Sequence, residues 1–322
     1  MTWMIRYCGE RRRNAVNNLT LIRWAGGKGR QLNDLLPLVP LTGGYVEPFG
    51  GGGSVLLNRP RSGVEVYNDL DGALVNLFTV VRDRGEELYD YLRLVPYSRA
   101  EFERCLSFES ISDPLRRAAA FYTVINQSIS GKRLASRGDW ARGRMDNLAD
   151  RWYDRIDNLP GIVDRLRSVQ VECRDALDIL EEWDGDDVTF YCDPPYILDT
   201  RSKRKYYAVE PGDDYHSALV DVLLEVRGAV VLSGYNHRIY SRLLEAGWWC
   251  DTYGSLAVME VVQKGGEKRS RVEIVFRNEK AARMAIARPI WDDGQGGLSV
   301  ARSITRSITR SITPVAVTSD KI

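Results

Sequence analysis

Four consecutive glycines, Gly50 to Gly53, constrain the fold of this chain more than any other stretch. Before them Tyr45-Val46-Glu47 reads as a short strand, and after them Ser54-Val55-Leu56-Leu57 opens an apolar helix. Strand, glycine turn and helix make the first unit of a parallel α/β sheet. The turn brings backbone close to a ligand and leaves the helix N–H groups facing it. The spacing is not the dinucleotide pattern G-x-G-x-x-G, and the Lys-Ser/Thr of a P-loop is absent. A ligand other than NAD or a nucleoside triphosphate is therefore expected there.

The rest of the chain alternates in the way that first unit requires. Val64-Glu65-Val66-Tyr67-Asn68-Asp69 is a second strand ending in an acid. An acid at that tip accepts from ribose hydroxyls or caps the next helix, where Leu74, Leu77, Phe78 and Val81 recur at helical spacing. Strands return at residues 169–173, with Asp175 and a helix after them, and again at Val188-Thr189-Phe190-Tyr191-Cys192. Further strands are expected at 229–233, 248–253 and 271–277, with helices over 216–226 and 238–246. The pattern predicts a mostly parallel α/β sheet with an antiparallel edge hairpin.

Between the two halves, residues 85–168 lose strand alternation. Segments 86–95, 98–108, 113–128 and 144–158 read as helices, with Pro96, Pro114 and Pro160 as punctuation. The middle of this insertion holds Lys132, Arg133, Arg137, Trp140, Arg142 and Arg144 against the single acid Asp139. One-signed charge with a tryptophan suits phosphates and base edges, and a solvated loop is the plainer alternative. The whole chain of 322 residues carries a net charge of only +1, so any affinity for nucleic acid must be local. Arg201, Lys203, Arg204 and Lys205 form a second charged loop.

The fourth strand delivers Asp193-Pro194-Pro195-Tyr196 to the carboxyl edge of the sheet, where open α/β sheets bind ligands. Each proline fixes its own φ and neither continues a ladder, so the turn is stiff. A carboxylate, a carbonyl and a flat ring held rigidly suit a planar ligand bearing an amine. Trp24-Ala25-Gly26-Gly27-Lys28 offers another ring and cation, although on its residues alone it reads as a surface loop with an anchor tryptophan. Five scattered cysteines and two histidines argue against a disulfide framework and against a metal site. With no apolar leader or membrane span, a cytoplasmic protein is expected. Residues 1–19 read as a mobile basic extension, and 281–322, with Arg-Ser-Ile-Thr three times over, as a low-complexity disordered tail.

Taken in order, these motifs resemble the Dam-type (α group) DNA adenine-N6 methyltransferases, which use S-adenosylmethionine. The likeness rests on Trp24 to Lys28, Glu47 to Val55, Asp69, Asp175 and Asp193 to Tyr196, and runs over about residues 20–280. It implies a Rossmann-like methyltransferase sheet built from 20–84 and 169–280, with 85–168 as a helical target-recognition domain. It implies that Trp24, Lys28, Phe49, Gly51, Gly53, Asp69 and Asp175 surround S-adenosylmethionine. Asp193, Pro194, Pro195 and Tyr196 would act on an adenine flipped from double-stranded DNA, with no metal. Lys132, Arg133, Arg137, Trp140, Arg142 and Arg201 would meet the DNA. Cytosine-N4 methylation, or a DNA-binding relative without activity, are the other readings, and a cognate restriction nuclease is a partner such an enzyme can have. Ser128-Ile129-Ser130-Gly131-Lys132 replaces the Phe-Asn-Val-Pro-Phe-Gly of the best-known members, so no GATC preference is carried over.

Overall fold

The computed structural model describes residues 18–143, 146–197, 212–235, 237–256 and 271–287. The basic N-terminal run, Arg144, Arg201 with its charged loop, and the Arg-Ser-Ile-Thr repeats lie outside the described residues.

Among the described residues seven strands form one sheet in the order β3-β2-β1-β4-β5-β7-β6. They are β1 (Gly44–Glu47), β2 (Val64–Asn68), β3 (Val169–Glu172), β4 (Val188–Cys192), β5 (Ala229–Gly234), β6 (Trp249–Leu256) and β7 (Arg271–Arg277). The five from β3 to β5 pair in parallel, and β7 runs antiparallel between β5 and β6. The chain winds outward from β1 to β3, then returns to lay β4 against β1. That reversal opens a crevice at the carboxyl ends of β1 and β4. The sheet is therefore the mostly parallel one with an antiparallel edge that the strand and helix pattern predicts, and the Rossmann-like plan that the resemblance implies.

The helices described are α1 (Leu32–Leu35), α2 (Ser54–Asn58), α3 (Gly72–Leu92), α4 (Arg99–Cys105), α5 (Pro114–Gln127), α6 (Leu148–Asp157), α7 (Leu159–Leu166), α8 (Ala176–Glu182), α9 (Asp213–Glu225), α10 (Ser241–Glu245) and α11 (Glu279–Ala287). Strand side chains alternate between two cores, as a period of two dictates. Tyr45, Tyr67, Tyr191, Val231 and Val275 face one core. Val46, Val66, Phe190, Val230 and Phe276 face the other, which α8 and α9 cover with Ile179, Leu180, Leu219 and Leu223.

Among the described residues the insertion has no core of its own. Phe102 of α4, Phe121 of α5, Trp152 of α6 and Ile162 of α7 belong to the same apolar cluster as Tyr45 and Tyr67. Helix α3 joins the two, since it packs on α5, α7 and β3. The boundary expected at residue 85 falls within α3, where Arg84 leaves helical geometry at φ −133° and ψ 32°. A buried charge network adds a second tie. Arg165 of α7 grips Glu65 of β2 through bonds of 2.5 and 2.8 Å, with Arg59 on the same carboxylate at 3.2 Å.

Two local expectations need correction. Pro160 does not end a helix; it lies in the first turn of α7, where its missing N–H has no helical partner to lose. The ordered domain also continues past residue 280. Asn278 Oδ1 accepts from the N–H of Ala281 at 3.0 Å, and Ala281 and Ala282 are buried. No helix among the described residues is long and apolar enough to cross a membrane.

Candidate active site

The crevice between β1 and β4 opens into a cleft of about 250 Å³. Its floor is the Asp193-Pro194-Pro195-Tyr196 turn and its walls are the Trp24–Lys28 loop, the glycine turn, Asp69 and Asp175. All of these except Gly53 line the cleft directly.

The glycine turn is shaped by the rings it passes. Tyr67 stacks on Phe78 at 3.9 Å between centroids, and its hydroxyl donates to the Gly51 carbonyl at 2.7 Å. A Cβ on Gly50 would stand 2.2 Å from the Tyr67 ring, so only glycine lets the backbone pass there. Gly53 adopts φ +65° as the residue before α2, with Phe78 beneath it. It turns the chain and does not touch the cleft, unlike Gly51.

Asp69 closes one side. Its two oxygens accept from the N–H groups of Gly51 and Asp71, each at 2.8 Å. Loss of water pushes its pKa up to about 6, although both N–H groups favour the charge. Each oxygen keeps a second lone pair for a ligand hydroxyl. The helix cap that Asp69 could have supplied comes instead from Asp71, which accepts from the Ala73 N–H at 3.0 Å. Across the cleft Asp175 caps α8 through the Leu177 N–H at 2.9 Å and receives the Tyr215 hydroxyl at 2.9 Å. Phe49 is half-buried and lines the same cleft.

At the turn itself the structure joins two motifs that sequence reading kept apart. Lys28 is buried, and its Nζ donates to Asp193 Oδ1 at 2.8 Å, to the Tyr196 hydroxyl at 2.7 Å and to the Gly26 carbonyl at 3.2 Å. Burial raises the Asp193 pKa above the ordinary carboxylate range, and Lys28 and the Tyr196 hydroxyl hold it back. Tyr235, just past β5, meets the Tyr196 ring edge-on at 4.5 Å. Beneath them Glu47 accepts from the Tyr45 hydroxyl at 2.5 Å and the Leu56 N–H at 2.6 Å. Burial pushes its pKa up to about 8. Tyr215, Tyr235 and Glu47 were not assigned to the site from sequence. Glu47 opens the Glu47–Val55 motif and Tyr235 follows Ser233-Gly234 at the end of β5, signals that named a motif without giving either residue a role; Tyr215, at the start of α9, carried no signal beyond position.

The basic loop divides. Arg137 and Arg142 are exposed, and Lys132 is half-exposed and paired with Asp139. Arg133 is not presented to a ligand, contrary to expectation. Its Nε donates to Asp71 Oδ2 at 2.6 Å and its terminal nitrogen to Glu109 at 2.7 Å, and its guanidinium lies 5.0 Å from the Phe108 ring. It ties the loop to the turn that carries Asp69. Trp140 is likewise packed, 5.5 Å from the Tyr97 ring and beneath Arg99.

Comparison with known proteins agrees with this geometry. Residues 24–246 match the family model described as D12 class N6 adenine-specific DNA methyltransferase. The chain is 29% identical over 187 residues to proteins named DNA adenine methylase from Salmonella typhi and Escherichia coli. Those alignments cover 56% of this chain and 65% of each relative. A Type II methyltransferase, M.MjaIII of Methanocaldococcus jannaschii, is 26% identical over 255 residues, 70% of this chain and 87% of that protein.

Proposed function

The chain belongs to the D12 class N6 adenine-specific DNA methyltransferases, and from that premise we propose that it methylates the N6 amine of an adenine flipped out of double-stranded DNA. The observation that carries this reading is the Asp193–Tyr196 turn. It lines the glycine-walled cleft with Lys28 bound to both its carboxylate and its ring hydroxyl.

S-adenosylmethionine supplies an electrophilic methyl group on a sulfonium. The donor set of the cleft fits that molecule. Asp69 has spare lone pairs for ribose hydroxyls, Asp175 and the half-buried Phe49 suit a purine, and the Trp24 and glycine loops enclose the remainder.

Adenine's amine is a weak nucleophile because its lone pair is delocalised into the ring. Lys28 holds Asp193 Oδ1, and Oδ2 together with the Pro194 carbonyl accepts the two amine hydrogens. That pulls the hydrogens from the ring plane and localises the lone pair, a matter of positioning and fixed dipoles. The cationic amine formed on methylation is strongly acidic, so it loses its proton without a dedicated base. Flipping costs a few kcal/mol of unstacking, and a base stacked on Tyr196 recovers roughly 1–3 kcal/mol. The exposed Arg137 and Arg142 on the insertion contact the duplex. The cytosine-N4 reading loses ground because the matched family is adenine-specific.

The test is to incubate the protein with duplex DNA and methyl-labelled S-adenosylmethionine, then separate the nucleosides. Label in N6-methyl-2′-deoxyadenosine is expected. Label confined to cytosine would refute the proposal, as would no transfer at all.

A further inference from the structure

Asp69 and Asp175 line the same cleft, but their oxygens are used differently. Asp69 takes one N–H on each oxygen, from Gly51 and from Asp71. Asp175 takes both of its donors on the same oxygen. Its Oδ1 accepts from the Leu177 N–H in the first turn of α8 and from the Tyr215 hydroxyl in the first turn of α9, each at 2.9 Å. Among the described residues no group donates to Oδ2, and Oδ2 is not sealed away from solvent. Asp175 and Tyr215 are both half-buried, and Tyr215 lines the cleft as well.

A carboxylate oxygen offers two lone pairs, so Oδ1 is full. The Leu177 N–H alone would not fix the group. One donor leaves the carboxylate free to turn about its Cβ–Cγ bond, and leaves Oδ1 open to a further donor. The Tyr215 hydroxyl removes both freedoms, because it reaches the same oxygen from a different helix. It acts as the donor, since burial and then Asp175 itself hold its proton well above the ordinary phenol range. One acceptor, Oδ2, is left over at a fixed angle. Such an acceptor reads a single N–H, like that of an amine on a purine edge, and gives nothing to an edge without that hydrogen.

We propose that Tyr215 is a positioning residue for the cofactor: by filling Asp175 Oδ1 it commits Oδ2 to the purine amine of S-adenosylmethionine, and so sets a preference for an amine-bearing purine. The inference rests on the cofactor reading given above and adds to it a residue that acts on the purine through Asp175. Among the described residues Tyr215 has no hydrogen bond to Lys28, Asp193 or Tyr196. Its loss should therefore weaken cofactor binding and leave the transfer step alone.

The experiment is a cycle of two changes on the full chain, one in the protein and one in the ligand. Affinities of wild type and Tyr215→Phe are measured for S-adenosylhomocysteine and for its desamino analogue, in which hydrogen replaces the purine amine. Wild type should prefer the amine by roughly ten- to a hundredfold. Tyr215→Phe keeps the ring. It should bind S-adenosylhomocysteine about five- to tenfold more weakly, and the desamino analogue within about twofold of wild type. In steady-state methylation it should raise KM for S-adenosylmethionine several-fold with kcat within about twofold. Asp175→Ala should lose the preference for the amine altogether. A loss shared equally by both ligands in Tyr215→Phe would make the residue merely structural and overturn the inference. So would unchanged affinity for S-adenosylhomocysteine, or a preference that survives in Asp175→Ala. A wild-type chain that binds neither ligand would sink the cofactor reading itself, whereas a failure confined to the variants leaves that reading standing.

Discussion

Lys28 and Asp193 are 165 residues apart in the chain and share one hydrogen bond on which the site's protonation turns. On the proposed function an ionised Asp193 accepts from the amine and a protonated one does not, so the transfer rate should fall as pH drops through its pKa. Lys28 is among the groups that hold that pKa down against burial. In Lys28→Met the pKa should rise further, and the acid limb of the single-turnover rate should move to higher pH. A limb that stays put or moves to lower pH would contradict the pairing. Glu47 behaves in the opposite sense toward stability. Its folded pKa of about 8 exceeds the ordinary value, so the folded state holds a proton that the unfolded chain releases. Its contribution is complete below the unfolded pKa and is lost as pH rises toward 8, with a slope of at most about 1.4 kcal/mol per pH unit. Glu47→Gln should therefore flatten the decline in urea stability over that range. Parallel curves for wild type and variant would show that Glu47 is not protonated in the fold.

Elements carry the account where single residues cannot. The parallel strands and the glycine turn were legible because a fully buried strand and a four-glycine break leave few alternatives. The period-two split into Tyr45 and Val46, or Tyr191 and Phe190, follows from the same pattern. Helix α7 was missed because Pro160 reads as a stop, while a proline in the first turn is tolerated. Helix α11 was missed because its buried face is alanine, which gives little apolar signal; Ala281 and Ala282 sit against the sheet with Asn278 capping them. A chain ending at residue 287 should melt with the full-length protein. One ending at residue 280 should melt lower, by on the order of 5 °C. Equal melting of the two truncations would place α11 outside the fold. The basic loop shows the limit of reading charge from sequence. Arg133 and Arg137 look alike in the chain, yet Arg133 is spent on Asp71 and Glu109 and Arg137 is exposed.

At the scale of the whole molecule, the winding of the chain does most to build the site. The reversal between β3 and β4 sets the Asp193 turn beside the glycine turn, and the third wall, from Trp24 to Lys28, precedes the sheet altogether. The order of motifs made that arrangement legible. The contacts between motifs were not legible, because side-chain pairing across distant segments leaves no periodic trace. The insertion shares a core with the sheet, so its basic loop is held in fixed relation to the cleft. On the proposed function the Asp193 turn performs the transfer and does not merely bind. Single-turnover methylation of duplex DNA by Asp193→Ala, measured beside its affinity for S-adenosylhomocysteine, tests it most directly. Transfer reduced by about a thousandfold is expected, with cofactor affinity close to wild type. Near-normal transfer, or a defect that lies mainly in cofactor binding, would contradict it.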